Sequence, residues 1–250
     1  DMNSIKLVDN LGTLSTNTKV AVSSKMCHDR AFDPVQVNAI NVIEALSPSI
    51  FSPDITAPKL IRIKFDLNTE NGLFNLRFDE PVQQEAIVIG HITIQSEASE
   101  DSDTQSYTLT QSSGTRVVTK TSTHHTISLG YDDSAAIKIL SSLATSLSST
   151  YFSVKTKTFF DTSFTENTAT TISVSSAFKV EEYIPDATDP YLKYFDIDMD
   201  EGELTLFFNE PVDVSSLQVE HIRIQSVRLR SDGESHRLGN GSYTPTSDLD

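Results

Sequence analysis

Four acidic residues stand where oxygen ligands could clamp a cation. Asp54 lies in Pro53-Asp54-Ile55-Thr56-Ala57-Pro58, which returns as Pro185-Asp186-Ala187-Thr188-Asp189-Pro190, and Glu80 lies in Phe78-Asp79-Glu80-Pro81-Val82, which returns as Phe208-Asn209-Glu210-Pro211-Val212. Calcium takes roughly six to eight hard oxygens, so an ion held where two folded repeats join would draw on acids that recur beside linker prolines and turns. Asp54, Asp186, Glu80 and Glu210 are therefore the candidate metal ligands, and calcium is the candidate ion. Asp-x-Thr is also ordinary turn chemistry, in which the carboxylate accepts from a nearby backbone amide, so the same residues have a purely structural reading. A second acidic row, Asp196, Asp198 and Asp200, fails the EF-hand test: position 6 is Glu201 instead of Gly and position 12 is Phe207 instead of Glu. It reads as the solvated face of a strand.

Other chemistry is sparse. His124 and His125 are adjacent, and adjacent strand residues face opposite sides, so they cannot chelate together. His91 and His221 recur at the start of a strand, which points to a structural role. A single cysteine, Cys27, excludes an internal disulfide and a CxxC zinc site. With no glycine-rich phosphate loop, no G-x-S-x-G elbow and no recurring His/Asp/Ser grouping, no catalytic residue is assigned and an enzyme is not expected. Asn240-Gly241-Ser242 makes Asn240 the glycosylation candidate, and the Ser/Thr-rich loops could carry O-glycans. The 250 residues carry 19 Lys and Arg against 35 Asp and Glu, a net charge of −16, which argues against nucleic acid or an anionic membrane as partner. No apolar run approaches the roughly 20 residues of a membrane span.

The elements that must position these residues are organised by a long period. Phe65-Asp66-Leu67 recurs as Phe195-Asp196-Ile197, and His91-Ile92-Thr93-Ile94-Gln95-Ser96 as His221-Ile222-Arg223-Ile224-Gln225-Ser226, both at an offset of 130, while the Asp54 and Asp186 motifs lie 132 apart. The two-residue difference predicts a small insertion between Leu60 and Phe65. The offset of 132 also places Ile5, Val20, Val22, Ile40 and Leu46 on Ile137, Phe152, Val154, Ile172 and Phe178. Residues 58–188 then form one complete repeat of about 131 residues, preceded by the C-terminal half of one (1–57) and followed by the N-terminal half of another (189–250). The chain is expected to be cropped from a longer tandem array.

Within the complete repeat, residues 60–67 and 73–78 alternate as strands around an Asn71-Gly72 turn, and Pro81 stops the second strand. Residues 91–95, 106–110, 116–119, 126–129, 151–158 and 171–178 read as further strands, spaced as in a β-sandwich. Asp132-Asp133-Ser134 reads as the N-cap cluster of one short helix through Ala136, Ile137, Leu140 and Ala144. The fold class is all-β.

The PDxTxPxL, FD(L/I), F(D/N)EPV and HIxIQS segments together resemble the tandem immunoglobulin-like repeats of large surface proteins. They are similar in style to bacterial Ig-like and S-layer-type repeats with an FxEPV motif after the second strand. The resemblance covers nearly the whole chain and implies tandem Ig-like β-sandwich repeats without catalytic residues. It further implies an extracellular or cell-surface location and a structural segment of a stalk, coat or filament, such as a flagellar hair, an S-layer-like coat or an adhesin stalk. The expected partners are neighbouring repeats or copies of the same protein. The alternative is an adhesion module that binds glycans or cell-surface proteins through loops such as 96–105.

Overall fold

The computed structural model describes residues 2–8, 10–111, 114–163, 166–228 and 233–239. Asn240 lies outside the described residues. The chain divides into two units, residues 1–187 and 188–250.

The first unit opens with helix α1 (Met2–Lys6) and contains strands β1 (Leu60–Asp66), β2 (Leu73–Phe78), β3 (Ile92–Gln95), β4 (Ser106–Thr108), β5 (Arg116–Thr121) and β6 (His124–Ser128). Helix α2 (Tyr131–Ile139) and strands β7 (Tyr151–Val154), β8 (Phe178–Lys179) and β9 (Glu182–Ile184) follow. One sheet has the order β5-β6-β2-β1-β9 and the other β4-β3-β7-β8. The fold is all-β in this sense, with α-helix confined to two short segments among the described residues.

The alternation in β1 and β2 turns Ile63, Phe65, Phe74 and Leu76 to one side, where all four are buried. Phe65 stacks on Phe74 at 4.0 Å, and Phe74 meets Phe152 of the other sheet at 5.7 Å, so both sheets feed one apolar cluster. Gly72 closes the hairpin at φ +95°, the left-handed conformation that favours glycine, and a Cβ there would press on Leu67 and Leu129. The edge strand β9 runs parallel to β1, pairing Lys64 with Glu182 and Phe65 with Tyr183, and so ties the end of the unit to its first hairpin.

Three sequence expectations change. The helix begins at Tyr131 with Gly130 as N-cap, so Asp132 and Asp133 lie in its first turn instead of capping it. Residues 171–178 are not one strand: Ile172 makes a single bridge to Val154, and Val174–Ser176 is a 3-10 turn whose Ser173 side chain accepts from the Ser175 amide. That local side-chain bond competes with a sheet ladder. The two-residue insertion also moves, because the second unit shows where the registers agree.

That unit holds β10 (Leu192–Asp198), β11 (Glu203–Phe208), β12 (Arg223–Gln225) and β13 (Ser235–Arg237). β10 and β11 pair Leu192 with Phe208, break register before Tyr194 and continue with Phe195 opposite Leu206. β1 and β2 pair Leu60 with Phe78, break register before Arg62 and continue with Ile63 opposite Leu76. Phe195 thus corresponds to Ile63 and Ile197 to Phe65, and the extra residues lie in the turn after Asp66, not between Leu60 and Phe65. The shared Phe-Asp dipeptide misaligned the strand by two residues, a shift that leaves every side chain on its own face and is invisible to pattern.

Residues 2–57 follow the second half of residues 60–187 at the offset of 132. Bridges Val20–Leu46, Val22–Ile40 and His28–Gln36 match the pair Phe152–Phe178 and the bridges Val154–Ile172 and Phe160–Thr168. The 3-10 turns Ser15–Asn17 and Val42–Glu44 match Leu147–Ser149 and Val174–Ser176.

Asp133 is fully buried and joins α2 to the strands. Its carboxylate accepts from the Tyr107 hydroxyl (2.8 Å), the Thr110 amide (3.1 Å), the Thr110 hydroxyl (2.7 Å) and the Thr115 hydroxyl, whose oxygen in turn accepts from Gly130 N (2.7 Å). Burial, followed by the bond to Asp133, pushes the Tyr107 phenol up to about 12. Truncating Asp133 strands these donors, so Asp133→Ala should cost about 3 kcal/mol in chemical denaturation. Exposed Asp132→Ala should stay within about 0.5 kcal/mol. Equal effects of the two would contradict this role.

Candidate functional site

The recurring linker acids meet lysines. Asp54 uses one oxygen, Oδ1, to accept from the Thr56 amide at 3.1 Å, the ordinary turn chemistry of its motif. Its other oxygen, Oδ2, lies 2.6 Å from Lys6 Nζ, and the same ammonium donates to Glu80 Oε2 at 2.5 Å. Lys6 comes from the last turn of α1, Asp54 from the linker before β1, and Glu80 from the turn that follows β2. Three separate segments are thereby held at one point.

Asp161 completes the group: one oxygen from each of Asp54, Glu80 and Asp161 lies within 4.8 Å of the others. Asp161 is saturated by its own loop. It accepts from Ser163 N (3.1 Å), Ser163 Oγ (2.8 Å), Asn167 N (2.8 Å) and Asn167 Nδ2 (2.8 Å). Asn167 Nδ2 also donates to the Asp54 carbonyl at 3.1 Å, which fastens that loop to the linker.

Burial alone would drain charge from this cluster. For Lys6, desolvation disfavours the ammonium, but its bonds to Asp54 and Glu80 and their negative field outweigh it and hold the pKa above its ordinary value. For Glu80, burial dominates and pushes the carboxyl up, and Lys6 pulls it back only in part. Glu80 is 7% exposed, and its Oε1 has no hydrogen-bond partner among the described residues. The ammonium sits between two of the three carboxylates, so calcium would have to displace Lys6 to use them. As arranged, the group is an internal ion-pair latch.

The other two candidate ligands sit in a related setting. Asp186 Oδ2 lies 2.6 Å from Lys138 Nζ, and Lys138 stands 132 residues after Lys6, as Asp186 stands 132 after Asp54. Glu210 is buried. Neighbouring clamps recur too. Asp79 Oδ1 accepts from Lys59 N at 2.8 Å, and Asn209 Oδ1 accepts from Tyr191 N at 2.6 Å. Asp29, the counterpart of Asp161, accepts from Ala31 N (3.2 Å) and Val35 N (2.9 Å), the positions of Ser163 and Asn167.

The structure thus brings Asp54 and Glu80 together and adds Lys6 and Asp161, which the sequence reading had not selected. Lys6 was legible, because it and Lys138 share the offset of the acids. Asp161 had the same signal in Asp29, hidden because their surroundings share no motif.

The remaining sites are dispersed. Asp198 accepts from the Asp200 and Glu201 amides at 2.8 and 3.0 Å, and these bonds hold its carboxyl below the usual range, so the acidic row caps a turn. His124 is exposed while His125 is buried, edge-on to Phe78 and bonded to the Ser122 carbonyl; burial pushes its pKa down. His91 and His221 each end a 3-10 turn before a strand. Cys27 is exposed. No helix among the described residues is long and apolar enough to cross a membrane. A shallow pocket on the outer face of the five-stranded sheet is lined by Arg62, Lys64, Asn75, Arg77 and His124. Arg62 and Lys64 are paired there with Glu181 and Glu182, at 2.6 and 2.8 Å.

Comparison with protein-family models, with curated proteins and with solved structures finds no match to this chain.

Replacing Lys6 by Met would leave Glu80 buried beside Asp54 without its cation. The folded state would then hold a proton that the unfolded chain releases near the ordinary glutamate pKa, so the penalty should be largest at neutral pH and shrink as pH falls towards 4.5. The expected loss is about 1–3 kcal/mol at pH 7.5, read by denaturant melts. A loss independent of pH would contradict the latch, and a calcium-dependent rise in wild-type stability would show that the ammonium yields to the metal.

Proposed function

We propose that the chain is a structural segment of a long extracellular surface protein or filament, built as tandem immunoglobulin-like β-sandwich repeats that act as a spacer or wall. The observation that carries this reading is the recurrence of the junction latch. Lys6 with Asp54 and Lys138 with Asp186 are the same ion pair at the same distance, one period apart, each joining a helix end to the linker before the next hairpin. An enzyme needs one site. A spacer needs the same joint at every step, and a linker held by an ion pair and flanked by prolines is a stiff joint. The acidic surface suits a protein that must stay dispersed in its medium.

The second reading, an adhesion module for glycans or cell-surface proteins, is favoured by the outer-face pocket, where Arg77, His124 and Asn75 offer the polar groups that such ligands engage. The pairing of Arg62 and Lys64 with glutamates weakens it. A glycan array probed with the whole chain separates the two. The structural reading expects no specific binder, and micromolar binding lost in Arg77→Ala would replace it with the adhesion reading.

A further inference from the structure

We propose that copies of this chain pack side by side, the cationic outer face of the five-stranded sheet in one copy receiving the acidic loop 97–103 of another. The inference rests on the repeat reading above and names the contact that would join neighbouring arrays into a wall.

The receiving face carries a row of like charges. Arg62 of β1 lies directly opposite Arg77 of β2, and Arg77 lies opposite His124 of β6, so three basic side chains stand abreast on adjacent strands with Lys64 one step along. Arg62, Arg77 and His124 are exposed. Like charges at directly opposed positions destabilise a sheet. Glu181 and Glu182 relieve Arg62 and Lys64 at 2.6 and 2.8 Å, but Arg77 makes no ion pair among the described residues. The fold does not require this arrangement. At the same register β10 and β11 set Tyr194 against Phe207, stacked at 4.3 Å, and place Asp196 where β1 has Lys64. Residues 60–187 therefore hold a repulsive pair where the scaffold accepts an attractive one, and an anionic partner on the row turns that repulsion into binding.

The partner follows from the loop between β3 and β4. Glu97, Glu100, Asp101 and Asp103 give it four acids and no base. Its shape is set within the chain: Asp101 accepts from the amides of Asp103 (2.9 Å) and Thr104 (3.0 Å) and from the Thr104 hydroxyl (2.9 Å), while the Ala177 amide donates to Ala98 O (2.8 Å) and the Glu100 amide to Val174 O (3.0 Å). The Asp103 amide foremost, then the Thr104 hydroxyl, hold the Asp101 carboxyl below its usual range, so it stays charged. A preformed anionic loop loses little freedom on binding. The loop belongs to the four-stranded sheet and the row to the five-stranded one, and no ion pair joins them within the chain among the described residues, so the counter-charge comes from another molecule.

Loop and face change sign together between repeats. The Ser96 amide closes the first loop on Gln105 O and the Ser226 amide closes its counterpart on Glu234 O, both at 2.9 Å. In that counterpart residues 227–233 carry Arg228 and Arg230 against one acid, and the outer positions aligned with the cationic row carry Asp196, Asp198 and Glu203. Each repeat thus combines a face of one sign with a loop of the other. Two arrays aligned repeat for repeat bring opposite charges together, whereas a slip of one repeat sets the acids of loop 97–103 against Asp196 and Asp198, so the same charges select the alignment.

Sedimentation equilibrium of the full chain in 0.1 M salt, where a Debye length of roughly 10 Å mutes the repulsion between net charges, tests the contact. The expected result is weak, concentration-dependent association that 1 M salt abolishes, with Arg77→Glu and Glu100→Arg each lowering the association constant at least about tenfold. The double variant, Arg77→Glu with Glu100→Arg, should regain association, because a reversed row then meets a reversed loop. Both residues are exposed, and an unchanged thermal midpoint reports that each variant is folded. A wild-type chain that stays monomeric at high concentration, association that 1 M salt leaves intact, or a double variant no better than the single ones overturns the contact. A monomer that binds no glycan overturns the contact alone and leaves the repeat reading standing, whereas a monomer that binds a glycan through Arg77 removes that reading as well.

Discussion

The stack of Phe65 on Phe74, with Phe152 reaching it from the opposite sheet, is the contact on which the rest of the structure depends. A two-stranded hairpin with one apolar face is at best marginally stable in water, and here its cover arrives from a segment some 80 residues further along the chain. Other contacts serve that closure: Gly72 sets the hairpin, Asp133 fixes α2 to the end of β4, and β9 returns to lie beside β1. Phe195 and Ile197 of β10, and Ile5 and Val20 in the first 57 residues, are exposed where Ile63, Phe65, Ile137 and Phe152 are buried.

The ion-pair latch belongs to this scheme as a joint. A lysine in the last turn of a helix stabilises the helix end through the macrodipole, and it reaches forward to the linker that leads into the next hairpin. One side chain therefore ties a helix end to the linker before the following hairpin. The partial burial of Lys6 and Glu80 makes the joint sensitive to its own charge balance, since an uncompensated carboxylate there costs more than one at the surface.

Much of the fold was legible because period-2 alternation and Asn-Gly are local signals. β1, β2 and the hairpin between them stand where the pattern puts them, and the split of His124 from His125 follows from strand geometry alone. The errors were of two kinds. The insertion was misplaced because a two-residue slip preserves sidedness, and only the bulge shared by Leu60/Arg62 and Leu192/Tyr194 fixes the register. The helix start was misplaced because Asp133, a good capping residue by type, is taken by Tyr107, Thr110 and Thr115, which are distant in sequence. The candidate site was half legible for the same reason. Recurrence selected Asp54, Asp186, Glu80 and Glu210, but the partner that neutralises Asp54 and Glu80 lies on a helix some 50 residues or more away in the chain.

Residues 58–188 are proposed to hold both halves of one core, with 189–250 holding only one. Thermal unfolding of the two fragments, each studied alone and dilute, tests it directly. A single cooperative transition is expected for 58–188 and none for 189–250. Cooperative unfolding of monomeric 189–250 would contradict the account, because a half-core would then be a domain in its own right.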